Sequence, residues 1–252
     1  MLKVEKQKGA KYIILNIWDD DHYRSLDAWR SIRFGQGSDC GFTLPHLRVD
    51  VKNNRCEQME NLLKTREDVF KLRDKDFLWA AFENDPILQL VMAGRGASKG
   101  SMELNNPVPV SFGIPEETIT NTEIALQIKK IHTEAALFAS KNIVSWTENF
   151  IKESGKKFMI ILSFRKDNIA RELHNKPRFD QSFVDWLKNK PYPVIDMRDI
   201  FREEYKRFKV DIDSFLTPFY NGHHTPAGNF FMAWRLKDKL VEWLDPAPKP
   251  YQ

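Results

Sequence analysis

The chain has 252 residues, 42% of them hydrophobic and 12% aromatic, enough apolar area for a globular core and too much for a disordered chain. Its formal charge is +4, with 39 basic and 35 acidic side chains spread along the sequence, so nothing marks a nucleic-acid binder. It holds no run of eighteen apolar residues, and its start, MLKVEKQKGAKYIILNIW, lacks an apolar signal region with a small-residue cleavage site; neither a membrane span nor a secretory leader is expected.

In chain order, KYIILNIW (Lys11 to Trp18) is a short apolar run of the kind that forms a buried strand of a parallel sheet. It ends in the acidic turn Asp19, Asp20, Asp21, which caps a helical stretch carrying Arg24 and Arg30, two residues expected to pair with the turn. Residues from about 34 to 115 break the strand–helix rhythm and read as an insertion or cap holding a small hairpin around KNNR and one or two helices. Cys40 and Cys56 fall in this region; two cysteines are too few for a disulfide framework and read as reduced thiols.

A long helix is expected from Glu123, its apolar positions Ile124, Ile128, Ile131, Ala135, Phe138, Trp146 and Phe150 recurring at helical spacing with one break near Asn142. TNTE (Thr120 to Glu123) suits a capping box and Gly155 a C-terminal stop. KKFMIILSF (Lys156 to Phe164) and YPVIDM (Tyr192 to Met197) read as further strands, and Phe179 to Asn189 and Arg198 to Phe208 as helices. In the closing helix Thr225 supplies the cap and Pro226 the first turn, with Phe230, Ala233, Trp234, Leu240, Val241 and Leu244 expected on the inner face. Alternating strands and helices predict an α/β parallel sheet with flanking helices. Only three strands are legible where such sheets usually hold five or more, so the sheet reads as missing its N-terminal strands.

In open α/β sheets ligands sit beyond the carboxyl ends of the strands, which brings the acidic turn after the first strand and the YNGHHTPAG loop before the last helix to one edge. Both blocks resemble those of the SGNH (GDSL) hydrolases. AKYIILNIWDDDHYR is similar to the family's strand block ending in Gly-x-Asn-Asp, with Asp20 at the Asn and Asp21 at the following Asp. GHHTPAGNFF is similar to the last block, with His223 at the catalytic His, followed by Thr225, Pro226 and Gly228. The resemblance covers residues 10 to 33 and 156 to 245. It implies a flavodoxin-like fold, one incomplete SGNH-type domain over residues 1 to 252, and an ester hydrolase acting on a small-molecule or carbohydrate ester without cofactor or metal. In such an enzyme a Ser attacks the carbonyl, His223 is the general base, an Asp orients the imidazole, and the Asn helps hold the oxyanion.

Several family features are absent. The Gly-Asp-Ser block is not in these 252 residues, and Ser38 lacks the strand and spacing of a nucleophile elbow. Tyr220 stands where the family has its Asp; Asp213 or Asp211 could supply a carboxylate from the same loop. Asp20 in place of Asn cannot donate to an oxyanion while ionised. The expectation is therefore the C-terminal portion of such a hydrolase, inactive on p-nitrophenyl esters unless extended upstream. His224 is expected as a pocket wall or solvated, Trp18 as a pocket lining or a plug of the sheet, and NFFMAW as core. Two alternatives stay open: a metal-dependent phosphoesterase drawing ligands from Asp19, Asp21, His22, His223 and His224, and a non-catalytic binding protein or scaffold that keeps the fold. Compartment and oligomeric state are not legible.

Overall fold

The structure, a computed structural model, describes residues 9–30, 33, 44–94, 112 and 124–246. Ser38, Cys40 and the TNTE capping box lie outside the described residues. The fold is mixed α/β, and the chain divides into two compact units. One comprises Met1–Ile13, Asp20–Phe158 and Ser182–Leu187, the other Ile14–Asp19, Met159–Gln181 and Lys188–Gln252.

The three strands expected from the sequence form one small sheet: β1 (Tyr12–Trp18), β4 (Lys157–Ser163) and β5 (Val194–Asp196), in the order β1-β4-β5. Ile160, Ile161 and Leu162 pair in parallel with Val194, Ile195 and Asp196. The central β4 is buried along almost its whole length, as its unbroken apolar run requires. β1 departs from expectation. It is an edge strand in which Ile17 alone is buried and Ile14 is 45% exposed, because one of its edges has no partner strand among the described residues.

The first unit contains the expected hairpin, β2 (His46–Asp50) and β3 (Arg55–Met59), paired antiparallel from His46↔Met59 to Asp50↔Arg55. The turn between them places Asn54 at φ 51, a conformation Asn tolerates. A 3-10 turn (Glu67–Arg73) and the helices α2 (Lys75–Phe82) and α3 (Pro86–Gly94) follow. The long helix α4 spans Ile124–Ser154 without interruption. At Asn142 only the apolar pattern lapses, and that side chain donates to the Phe138 carbonyl. Ala135, Ala136 and Ala139 are fully buried in a core with Ile131, Leu47, Val49, Phe82 and Leu90; their small size lets neighbouring elements approach the helix closely. Gly155 at φ 63, with Lys156 N–H on the Ile151 carbonyl, ends α4 as the sequence predicts. Cys56 is half-buried, and burial pushes its thiol up to about 11.

The second unit carries α5 (Lys166–Leu173), α7 (Met197–Tyr205), α8 (Ile212–Leu216) and α9 (Pro226–Trp243), while α6 (Gln181–Leu187) belongs almost wholly to the first. α5 has no counterpart among the sequence expectations. Phe201 gathers the aromatic core of this unit, with ring centroids of Phe215, Phe219, Tyr220 and Phe231 at 6.4, 5.8, 5.9 and 4.8 Å. The face of α9 that packs inward is only partly the one expected, since Leu240 and Leu244 are part-buried but the other four positions are not. Gly228, Phe231, Met232 and Leu236 lie on its covered side, whereas Phe230, Ala233, Trp234 and Val241 are exposed. NFFMAW is accordingly only half core.

Candidate functional site at the carboxyl end of the sheet

The site begins where β1 ends. Asp19 follows the strand, and its N–H donates to the Ser163 carbonyl at 3.0 Å, extending the β1–β4 ladder by one step. Its carboxylate is 1% exposed. Oδ2 accepts from the Arg165 N–H at 3.0 Å and from Asn168 Nδ2 at 2.5 Å, both at the start of α5. Oδ1 is buried without a hydrogen-bond partner, with Arg165 Nε 3.4 Å away. Burial raises the pKa of Asp19 above the ordinary carboxylate value, only partly offset by Asn168 and Arg165.

Against the same strand end stands the loop of the doubled histidine. β6 (Tyr220–Asn221) and β7 (His223–His224) form a minimal antiparallel pair, Tyr220↔His224 and Asn221↔His223. Gly222 makes the reversal at φ 72, a value a side-chain-bearing residue rarely adopts. Successive residues of a strand point to opposite sides, so one imidazole turns outward and one inward. His223 is exposed; His224 is half-buried. The His224 ring meets Trp18 edge-on at 5.2 Å and lies 4.8 Å from the Tyr220 ring. Its Nε2 is buried without a hydrogen-bond partner, and burial together with neighbouring His223 lowers its basicity. Tyr220 is itself buried, donates from its hydroxyl to the Phe164 carbonyl at 3.1 Å, and is made a weaker acid by burial and by the charge of Asp19. Thus Trp18, Asp19, Tyr220 and His224 gather at one end of the sheet.

The Thr-Pro-x-Gly frame has a local structural cause. Thr225 Oγ1 accepts from Gly228 N–H at 3.1 Å, capping α9, and donates to the Pro218 carbonyl at 2.5 Å, while Thr225 N–H reaches the Phe219 carbonyl at 3.0 Å. Gly228 is dictated by proximity: a Cβ there would fall 2.2 Å from the Phe219 carbonyl oxygen. The frame fixes the hairpin on the helix, and through the hairpin it fixes His224.

The other residues singled out in the sequence sit elsewhere. Asp213 pairs with Lys166 at 2.6 Å on the surface, and Asp211 caps α8 through Ser214 N–H; neither is hydrogen-bonded to a histidine. In the first unit, Asp20 is enclosed by guanidinium groups: Arg24 Nε at 2.6 Å, Arg30 Nη2 at 3.1 Å and Arg33 Nη1 at 2.7 Å. Burial alone would raise its pKa, but Arg33 and Arg24 overcome this and hold the carboxyl below its usual range. Ionised, Asp20 accepts hydrogen bonds and donates none. Asp21 opens the single turn α1 (Asp21–Arg24) and takes a contact from Arg24 Nη1 at 3.2 Å. The expected pairing of Arg24 and Arg30 with the acidic turn is therefore present. Beside it, Asp27 is bound by Arg33 at 2.8 and 3.0 Å, yet burial lifts it to about 6; burial and Arg33 push neighbouring His132 down to about 4.

Among the described residues two serine hydroxyls lie near imidazole or the strand ends, and both are hydrogen-bonded. His22 Nδ1 is 2.7 Å from Ser140 Oγ, which itself donates to the Ala136 carbonyl, and both residues are buried. Ser163 Oγ donates to Asn16 Oδ1 at 2.9 Å. Among the described residues no group of three or more His, Cys, Asp or Glu side chains is placed to hold a metal ion, so the alternative ligand set Asp19, Asp21, His22, His223 and His224 is not assembled into one.

A buried ionic network lies on the same sheet. Asp196, at the end of β5, caps α7 and receives Arg178 Nη1 at 2.6 Å; Arg178 also grips Asp180 through Nε at 2.8 Å and Nη2 at 2.9 Å. Arg198, 1% exposed, adds an ion pair to Glu172, and both guanidinium groups lie over the Phe164 ring at 5.7 and 5.5 Å. Sequence reasoning passed over this network. Its signal was an apolar strand running into Asp, the same one that marks Asp19. Comparison with known proteins finds no matching family model, no matching curated protein and no matching solved structure.

Proposed function

We propose that the chain carries the imidazole-bearing part of an acyl-ester hydrolase of the SGNH type, acting on a small-molecule or carbohydrate ester. The observation that carries this reading is the seating of the histidine hairpin on the carboxyl end of β1, with His224 5.2 Å from Trp18. That edge is where open α/β sheets hold their ligands. The resemblance assigns the base to His223; the inward ring is His224, and the working imidazole in this proposal is His224. Burial keeps it neutral near pH 7, and its unpartnered Nε2 is ready to take a proton from a nucleophilic hydroxyl. The nucleophile belongs to the Gly-Asp-Ser block, which these 252 residues do not contain.

The test compares p-nitrophenyl acetate hydrolysis by this chain and by one carrying the reading frame upstream of Met1. Turnover is expected only from the extended chain. His224→Ala should remove it by about 10²-fold or more, the usual contribution of a general base, and His223→Ala should have a much smaller effect. Ester turnover unchanged by both substitutions would sink the proposal.

A further inference from the structure

Among the described residues, Asp19 Oδ1 is the one buried aspartate oxygen without a hydrogen-bond partner. At the end of β5 both oxygens of Asp196 are engaged, one by the Arg198 N–H and one by Arg178. The two oxygens of Asp19 are held differently. Oδ2 is fixed by two donors, the Arg165 N–H and Asn168 Nδ2, at the start of the eight-residue helix α5. Oδ1 has Arg165 Nε beside it at 3.4 Å, and the Arg165 side chain is 46% exposed. The cation against this oxygen is thus carried on a long side chain whose head reaches water.

Two N–H donors on one carboxylate oxygen have a chemical consequence. They are aimed at the protein's own carboxyl group, so the oxyanion they can stabilise is one formed at the Asp19 carboxyl carbon. Such an oxyanion arises when water hydrolyses an ester of Asp19. An imidazole to direct that water is in the same compact unit. Trp18, next in sequence, meets the His224 ring at 5.2 Å, and Tyr220, whose hydroxyl feels the Asp19 charge, lies 4.8 Å from it. His224 Nε2 is likewise buried without a hydrogen-bond partner.

We propose that Asp19 is a nucleophile toward saturated carbon, with His224 as the base that regenerates it. Oδ1 forms a C–O bond while an anionic leaving group, such as a halide, departs with its electron pair toward the Arg165 guanidinium. Water then attacks the carboxyl carbon of the alkyl ester and gives a proton to His224 Nε2, while Oδ2 carries the negative charge against its two donors. Collapse breaks the bond between the carboxyl carbon and the alkyl oxygen. His224 returns its proton to the departing alkoxide, the other water proton leaves to solvent, and Asp19 is a carboxylate again. The substrate class is an alkyl compound with an anionic leaving group, and the product is the alcohol. Burial strips water from the Asp19 carboxylate, which strengthens it as a nucleophile. Every group in this cycle lies within the chain, and only His224 is shared with the proposed ester hydrolysis.

The probe is 1-bromobutane, given to the chain of 252 residues. Bromide release above the buffer rate is expected. In oxygen-18 water one heavy oxygen should enter the peptide containing Asp19 and none the butanol of the first turnover. His224→Ala should release bromide once and then turn over about 10²-fold or more slower than the parent, keeping one butyl group on that peptide. Asp19→Asn should lose the reaction, and Asp213→Asn, at a surface ion pair, should retain it. Bromide release no faster than in buffer, an Asp19 peptide without label, or His224→Ala turning over at the parental rate would each overturn the proposal. Hydrolysis of p-nitrophenyl acetate by the extended chain is read separately, so failure of one activity is distinguishable from failure of the other.

Discussion

Replacing Gly228 by Ala tests the reasoning about the histidine frame through the sign of one number. Gly228 lies in the first turn of α9, three residues after its cap. In an ordinary helix Gly→Ala is stabilising by up to about 1 kcal/mol. Here the added Cβ would lie 2.2 Å from the Phe219 carbonyl oxygen, 3.1 Å from that carbonyl's carbon and 3.3 Å from the His224 Cβ. The obstacle is backbone, which cannot rotate away, and forced overpacking of this kind costs about 1–3 kcal/mol. Displacing the turn also loosens the Thr225 cap, which contributes about 1 kcal/mol. The net expectation is a destabilisation of about 1–3 kcal/mol, a fall in melting temperature of roughly 6 °C for a chain of this size. Thermal unfolding followed by near-ultraviolet circular dichroism reads it directly, because Trp18 and Tyr220 flank His224. An unchanged or raised melting temperature would refute the close approach and with it the placement of the hairpin.

Three further substitutions have defined outcomes. Asp27 rises from 3.8 to about 6 on folding, so its contribution to stability is full below 3.8 and is lost as pH climbs through 6; His132 falls from 6.5 to about 4, so its contribution is full above 6.5 and is lost as pH drops through 4. Each is worth on the order of 3 kcal/mol and they oppose one another. Asp27→Asn should therefore lose about 2 kcal/mol relative to the parent between pH 6.5 and 4 by urea denaturation, and a difference independent of pH would contradict it. Arg178→Ala leaves the fully buried Asp180 with only Arg198 Nη1 at 3.7 Å and the nearly buried Asp196 with only the Arg198 N–H; a loss of about 3 kcal/mol is expected in urea unfolding, and one below about 1 kcal/mol would show the network to be dispensable. Tyr220→Phe deprives the buried Phe164 carbonyl of its donor, an expected cost of about 1–2 kcal/mol; the imidazole resonances of His224 should shift with it, and unmoved resonances would separate the two rings.

Much of the scaffold was legible because single residues announce it. Gly155 stops α4 at a positive φ and Thr225 caps α9, and both conformations follow from local chemistry. The three strands were visible as apolar runs, but which of them lies at an edge depends on neighbours, and β1 and β4 read alike until their pairing is known. The inward face of α9 was only partly legible because two apolar stripes, one through Met232, Leu236 and Leu240 and one through Phe230 and Trp234, both keep helical period. Periodicity locates a stripe; tertiary packing selects which one is buried. Sequence spacing likewise does not say which of two neighbouring histidines faces the sheet. The family pattern pointed to His223, while the turn at Gly222 sends His224 toward the sheet. α5 escaped notice because its sequence, KDNIAREL, is mostly polar.

The one-residue reversal at Gly222 also determines how the loop responds to sequence change. Side-chain direction in a strand flips with every step, so an insertion or deletion at the turn would normally withdraw the inward ring and present its neighbour. Two consecutive histidines remove that sensitivity: whichever parity the loop adopts, an imidazole is turned toward the end of the sheet, and a length variant at this point exchanges one histidine for the other.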